Sequence, residues 1–434
     1  MKIAVLILAL LCVVSAKEKI SYEGYKVYEL LPSNEEQLAL IRSFNYHQYI
    51  DFWSEPKILG KPTTVNFWSE PKILGKPTTV MVPPNLQASF TSTLASAHIN
   101  YSVLIDNVER VNNAEQARQA INARPASGRI SFTEYQRYDA IQNYLSELAT
   151  NYPDIVSVEE IGTSYEGRAI NMIKIGAGAS DNPIILVEGG IHAREWISPA
   201  FVTYIIQELV ENEDNRNMIE NTNWIIVPVL NPDGYEHTHT SARLWRKTRS
   251  PGLLCTGVDG NRNFDFHWME TGASALQCSN TFAGSAPFSE SETSALRDVV
   301  LQYADQIKLF LAIHSYGNYL LYAWGHTSDL PEDVNILDAL AVEVESAIAS
   351  VSGTRYTIGS STNVLYAATG GSADWVKGVA GVNLTYTVEL PGGGIWGFDL
   401  PASRIIPVCE ETFEGVKVYQ NYVENNFRKN ELLL

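Results

Sequence analysis

Residues 183–212 read PIILVEGGIHAREWISPAFVTYIIQELVEN. The stretch opens as an apolar run closed by two glycines, the pattern of a short strand buried on both faces. Past the turn the period becomes helical, with Trp196, Ile197, Phe201, Ile205 and Leu209 recurring on one face. Three more apolar runs, NWIIVPVL (223–230), KLFLAIHSY (308–316) and LTYTVEL (384–390), alternate with helical segments from Ile130 onward. That alternation predicts an α/β domain with a central mixed, mostly buried sheet flanked by helices. In such sheets ligands bind at the carboxyl ends of the strands.

The chemistry-bearing residues fall at those ends. His192 and Glu195 sit three residues apart in the turn between the first strand and its helix, and His314 closes a second strand. Two imidazoles and one carboxylate form a three-ligand set that leaves a fourth zinc position open, as catalytic zinc requires. A single histidine after a strand is ordinarily just a hydrogen-bonded residue, so the set depends on its context.

The rest of the chain supplies that context. Residues 1–16, MKIAVLILALLCVVSA, place one lysine ahead of a short apolar run and end in small residues, which reads as a cleaved secretion signal. The protein is therefore expected to be secreted and extracellular, a digestive lumen being one such setting, with no membrane span. A net charge of −18 and a pI of about 4.9 would repel nucleic acid and anionic membranes, which excludes both as partners. Of four cysteines, Cys12 leaves with the signal; Cys255 and Cys278 enclose a Gly-, Ser- and Asn-containing loop and are expected to pair. Cys409 is then left over and expected to be buried in a helix. Asn100 and Asn383 begin glycosylation sequons.

Residues 17–108 carry strand-like runs, YKVYELL and YSVLIDNV, around the helical pattern EEQLALIRSF, enough for a small α+β open-sandwich domain. Within it FWSEPKILGKPTTV occurs twice, at 52–65 and 67–80, inside a tandem duplication spanning 51–80. Two identical copies do not make a solenoid. The second copy, continuous with Met81 and Val82, is expected to keep the strand. Residues 109–129 read as a polar connecting helix followed by a flexible PASGR segment, and 130–434 as the large domain.

HAREWIS, NPDGYEHTHT, RLWRKTRS, GVDGNRNFD, AIHSY, LYAATGGSADW and TVELPG follow one another in order. Together they resemble the pancreatic-type (A/B) zinc metallocarboxypeptidases, secreted zymogens, over the whole chain after the signal. The resemblance implies one zinc ion held by His192, Glu195 and His314, with Asp259 orienting a ligand imidazole. It makes Glu389 the general base and acid and Arg246 the cation facing the developing oxyanion. Asn261 and Arg262 would clamp the substrate's terminal carboxylate, Tyr366 would close over it, and Arg194 and Tyr316 would line outer subsites. Arg243, Lys247 and Arg249 read as surface or structural charges.

Relatives that remove Lys or Arg carry an acidic residue on the floor of the terminal-side-chain pocket, where this chain has Ala373. The other matching positions, Gly325, Ser361, Leu365 and Thr387, are uncharged, and the neighbouring Asp374 occurs in both subgroups. The expectation is release of apolar residues, with added room for aromatic ones. The resemblance also implies an inhibitory propeptide removed by a trypsin-like protease, at Arg129 or alternatively at Arg124, whose following proline hinders cleavage. Substrates would be peptide or protein C-termini, and the enzyme a monomer. Competing readings are the same fold with basic specificity and a non-catalytic carboxypeptidase-like binding protein. No G-x-S-x-G elbow supports a serine hydrolase. His237 and His239 form an H-x-H pair without a third ligand, and His47, His98, His267 and His326 have no evident partner.

Overall fold

Every residue of Ile184–Gly189 is buried, as is most of Asn223–Val227, Ile307–Ser315 and Leu384–Leu390. These β-branched and apolar runs pair as the centre of an eight-stranded sheet. The computed structural model describes residues 19–44, 66–67, 74, 78–122, 130–392 and 397–428. From one edge to the other the strands run Thr357–Ser360, Tyr319–Tyr322, Leu384–Leu390, Ile307–Ser315, Ile184–Gly189, Asn223–Val227, Ala169–Ile175 and Val156–Thr163. The four central strands are parallel to one another and the flanking pairings are mixed. The sheet is therefore α/β in type with antiparallel additions at both sides.

Helices cover both faces. Ile197–Val210 follows the first quoted strand and packs, with Val334–Ser352 and Ile405–Phe427, into the larger hydrophobic core. Phe201, Ile205 and Leu209 are at most 1% exposed there, and truncating Phe201 to Ala would cost about 3–5 kcal/mol. On the other face Ser291–Tyr303 and Ser372–Gly378 pack on Leu186, Phe310 and Ala312. The turn after the first strand needs its glycines. Gly190 has φ +71°, and a Cβ on Gly189 would lie 2.7 Å from Val202 Cγ2.

The amino-terminal region forms its own antiparallel sheet, ordered Asn66–Phe67, Thr78–Val82, Lys26–Leu31, Asn100–Ile105. One face packs Tyr28, Leu30, Val80 and Val82 against Ile41, Phe90 and Leu94 of two helices. The alternate residues Val27, Met81 and Ile105 turn to the opposite face and pack, with Tyr22 and Tyr25, against Leu244 and Phe398 of the large domain. Thr78, Thr79 and Val80 of the second repeat copy lie in a strand. The first copy at 52–65, the signal segment, His47, Arg124 and Arg129 lie outside the described residues. The helix Val108–Asn122 leads from this domain toward Ile130. Among the described residues no helix is long and apolar enough to cross a membrane.

Candidate metal centre and substrate cleft

His314 is the eighth residue of its strand and Glu389 is its Cα partner in the neighbouring parallel strand. His192 and Glu195 reach the same point from the turn after Ile184–Gly189, which Ser198 anchors by accepting from Gly190 N and donating to Ile313 O. His192 Nδ1 lies 2.9 Å from Glu195 Oε1, and His314 Nδ1 lies 3.0 Å from Glu195 Oε2 and 3.1 Å from His192 Nδ1. Zinc bonds of about 2.0–2.1 Å in a tetrahedron put donors roughly 3.3 Å apart, so the three atoms fit one face of a zinc shell. Among the described residues this is the one group of three or more His, Cys, Asp or Glu side chains arranged to hold a metal.

The electrostatics favour a cation. Burial alone would raise Glu195, but His192 and His314 hold it well below the usual carboxylate range. Burial works against protonating His314, yet Glu195 pushes its pKa up to about 9. Burial and Arg246 lower that of His192, which keeps its ring neutral and able to ligate.

Asp259 joins the metal donors to the rest of the site. Its Oδ1 lies 3.0 Å from His192 Nε2 and accepts from Asn261 N at 3.0 Å. Its Oδ2 accepts from Arg246 Nε and Nη2 at 3.1 and 3.0 Å. Burial would raise this carboxyl, but Arg246 and His192 hold it far below its ordinary range. Binding His192 through Nε2 leaves Nδ1 for a metal, the orienting arrangement that ligand histidines need.

Asn261 and Arg262 follow in the short helical turn Gly260–Arg262. Asn261 Oδ1 accepts from Ser372 N at 2.9 Å, and Arg262 donates to Gly272 O and to the Tyr366 hydroxyl at 2.9 and 3.3 Å. Asn261, Arg262 and Tyr366 thus converge. Arg194 is buried with its guanidinium 4.1 Å above the Phe398 ring, and burial lowers its pKa to about 10. The Tyr316 hydroxyl pairs with Thr79 Oγ1 of the amino-terminal domain at 3.0 Å. Glu389 is half-buried, and burial pushes its carboxyl up to about 7.

Ala373 is partly buried at the start of the helix Ser372–Gly378. The adjacent Asp374 carboxylate accepts from Gly325 N at 2.8 and 2.9 Å and from His326 N at 3.1 Å, with His326 Nδ1 3.2 Å away. Both its oxygens are engaged by the protein. Ser361, Leu365 and Thr387 are partly exposed, as positions lining a cleft would be.

Several residues are more tightly bound into the structure than their sequence suggests. Arg243, Lys247 and Arg249 are all buried: of the two alternatives, surface or structural, the structural one holds. Arg243 donates to Arg194 O and Phe398 O, pairs with Asp399 and stacks 3.6 Å over Trp196. His239 stacks on Trp196 and His237 meets the edge of Trp245, so the H-x-H pair is split between two aromatic contacts. His267 and His326, without partners in the sequence, stack at 4.0 Å and bond Glu270 and Asp374 respectively. Cys255 and Cys278 form a disulfide, and Cys409 is buried in the helix Ile405–Phe427.

A family model described as zinc carboxypeptidase matches residues 141–415, and one described as carboxypeptidase activation peptide matches 63–115. The chain is 52% identical to carboxypeptidase B of Astacus astacus over 302 residues, 69% of this chain and all of the relative. It is 37% identical to carboxypeptidase B of Rattus norvegicus over 413 residues, 93% of this chain and 95% of the other. The crystal structure of carboxypeptidase A from Helicoverpa armigera matches with TM-score 0.84 at 32% identity, covering 94% of this chain and 99% of that one. A donor triad shaped for one zinc, sitting in a fold shared with these relatives and preceded by an activation peptide, makes this chain a metallocarboxypeptidase of the zinc carboxypeptidase family.

Proposed function

We propose that the mature enzyme removes apolar or aromatic residues from peptide C-termini, and that it is made as a secreted zymogen. The observation carrying the hydrolytic reading is the convergence of His192, Glu195, His314, Asp259 and Arg246 beside Glu389. When bound by His192, Glu195 and His314, zinc supplies a Lewis acid that acidifies water and polarises the scissile carbonyl.

The chain's own groups do the rest. Glu389 takes the proton of the attacking water and returns it to the departing amine nitrogen; a carboxyl near pKa 7 suits both steps. Arg246, its guanidinium fixed by Asp259, faces the charge that develops on the carbonyl oxygen. Asn261 and Arg262 hold the substrate's free carboxylate, Tyr366 closes beside Arg262, and Arg194 and Tyr316 line the outer subsites. The uncharged Ala373, with Asp374 occupied by Gly325 and His326, supports the apolar preference.

A second reading, release of Lys or Arg, is favoured by the relatives named carboxypeptidase B. Hydrolysis of blocked dipeptides ending in Phe and in Lys, after trypsin treatment and with or without a zinc chelator, tests both. Chelator-sensitive Phe release is expected; faster Lys release overturns the apolar preference.

The propeptide, 17–108, covers the cleft and is cut from the catalytic domain, 130–434, within the connecting segment 109–129 by a trypsin-like protease. The Thr79–Tyr316 bond and the packing of Met81 on the Phe398 side support occlusion of the outer subsites. Arg129 is the expected cut, giving a mature terminus at Ile130; a terminus at Pro125 overturns it in favour of Arg124. The mature enzyme is monomeric, which sedimentation of the activated protein checks.

A further inference from the structure

The sequon Asn100-Tyr101-Ser102 has no part in the chemistry above. It opens the strand Asn100–Ile105, which stands at one edge of the four-stranded sheet and pairs there with Lys26–Leu31. Among the described residues no further strand pairs beyond it. Asn100, Tyr101, Ser102 and Val103 are all exposed, so the acceptor asparagine and its hydroxyl partner both lie at the surface.

The strand is poorly defended as an edge. Sheet edges are ordinarily blunted by charge, proline or a covering element, because their free N–H and C=O groups invite pairing with another chain. NYSVLI holds no Asp, Glu, Lys, Arg or Pro, and it has the length, β-propensity and neutrality of segments that stack edge to edge. Tyr101 and Val103 are 43% and 45% exposed on one face. On the other face Asn100 is the Cα partner of Leu31, which is 46% exposed. Directly opposed residues hold their side chains about 5 Å apart, so a group attached to Asn100 lies beside Leu31 and along the open edge.

We propose that Asn100 carries an N-linked glycan that covers this edge in the zymogen. The donor is a lipid-diphosphate-linked oligosaccharide. Asn100 Nδ2 bonds to the anomeric carbon of the first sugar and loses a proton, the sugar–phosphate bond breaks, and the lipid diphosphate leaves. A bulky, hydrated oligosaccharide then keeps a second chain off the edge. The site rests on the reading of the chain as a secreted zymogen, since the donor is met along the secretory route.

The attachment point is clear of the docked face. Ile105, at the other end of the strand, packs with Val27 and Met81 toward Leu244 and Phe398 of the large domain. At about 3.4 Å per residue Asn100 stands roughly 17 Å from that contact. The second sequon, at Asn383, lies beyond Ile130. Cutting the connecting segment therefore sorts the two: a glycan on Asn100 departs with the propeptide, and one on Asn383 stays with the enzyme.

The test uses the full chain secreted from cultured eukaryotic cells. Peptide N-glycosidase should shift the zymogen to a faster-migrating band and leave aspartate in place of Asn100, read by mass spectrometry of that peptide. After trypsin treatment the shift at Asn100 should be found on the released propeptide. Secreted protein with an unmodified Asn100 overturns the proposal. Ser102→Ala removes the sequon and keeps Asn100. That variant, and wild type deglycosylated without denaturation, should shift from monomer to dimers and larger species in size-exclusion chromatography, at a concentration where the glycosylated zymogen is monomeric. Elution unchanged from the glycosylated zymogen overturns the covering role; if the variant is not secreted, the deglycosylated wild type decides. Failure of the secretion reading looks different: the chain stays in the cells with residues 1–16 attached, and this site falls with it.

Discussion

Around Asp259 the charged side chains hold one another: His192, Arg246 and the Asn261 backbone all bond one buried carboxylate, and Glu195 links both imidazoles. Ala373, Gly325, Ser361, Leu365 and Thr387 are uncharged, and the adjacent Asp374 carboxylate is taken up by the Gly325 and His326 backbone. The first region leaves each group one allowed position; the second carries no such web of charge. Geometry that must be accurate to fractions of an ångström is built from interlocking charge, while the pocket proposed to select among side chains is built from uncharged residues.

The largest effect should come from the centre. Glu389→Gln removes the proposed proton carrier and is expected to lower kcat by about 10⁴-fold with one zinc still bound per molecule, measured by steady-state kinetics and metal analysis. A loss under tenfold would remove Glu389 from the mechanism. In the pocket, Ala373→Asp should raise the Lys-to-Phe ratio of kcat/KM by about 100-fold while zinc affinity stays put. If zinc affinity changes as well, the two regions are not separate.

Asp259→Asn should weaken zinc binding by about 10–100-fold, read by chelator competition. It should also raise KM, since Asn261 shares the same carboxylate. The pH profile is a smaller effect and has a definite sign. Burial raises Glu389 to about 7, and the base must be ionised, so kcat/KM falls as pH drops through that value, about tenfold per unit. A bound cation lowers the carboxyl, so the limb should lie at or below about 7. Glu389→Gln should flatten it.

The smallest effect on catalysis is expected far from both regions. Replacing Cys255 and Cys278 with Ser opens a loop with a sequence separation of 23 and should cost about 3 kcal/mol in denaturant unfolding. The kcat of folded enzyme should stay within twofold.

Much of the centre was legible in the chain because strand ends carry it. His192, Glu195, His314 and Glu389 follow apolar runs whose period is plain, and a run of ordered motifs ties them together. The central strands and the Trp196-to-Leu209 face were readable for the same reason. The edge strands Val156–Thr163 and Thr357–Ser360 and the four-residue Tyr319–Tyr322 were not, since they are short or half-exposed and alternate weakly.

Residues whose meaning depends on distant partners stayed hidden too. His267 and His326 are 59 positions apart and meet only once the loops close over the Phe266 ring. Arg243, Lys247 and Arg249 look like a solvated basic run until Trp196, Trp245 and Gln277 are brought beneath them.

The pairing of Glu389 with His314 across adjacent parallel strands has a consequence for how this enzyme can change. Because the backbone ladder sets that spacing, the distance from Glu389 to the metal donor His314 is quantised. A slip of one residue would turn Glu389 to the opposite face, and a slip of two would carry it about 6.6 Å along the strand. No graded series of loop insertions can retune it. Change at Glu389 and His314 is therefore confined to swapping side chains at fixed lattice points, whereas Gly325, Ser361, Leu365 and Ala373 of the proposed pocket lie on turns and helix ends and remain free to drift.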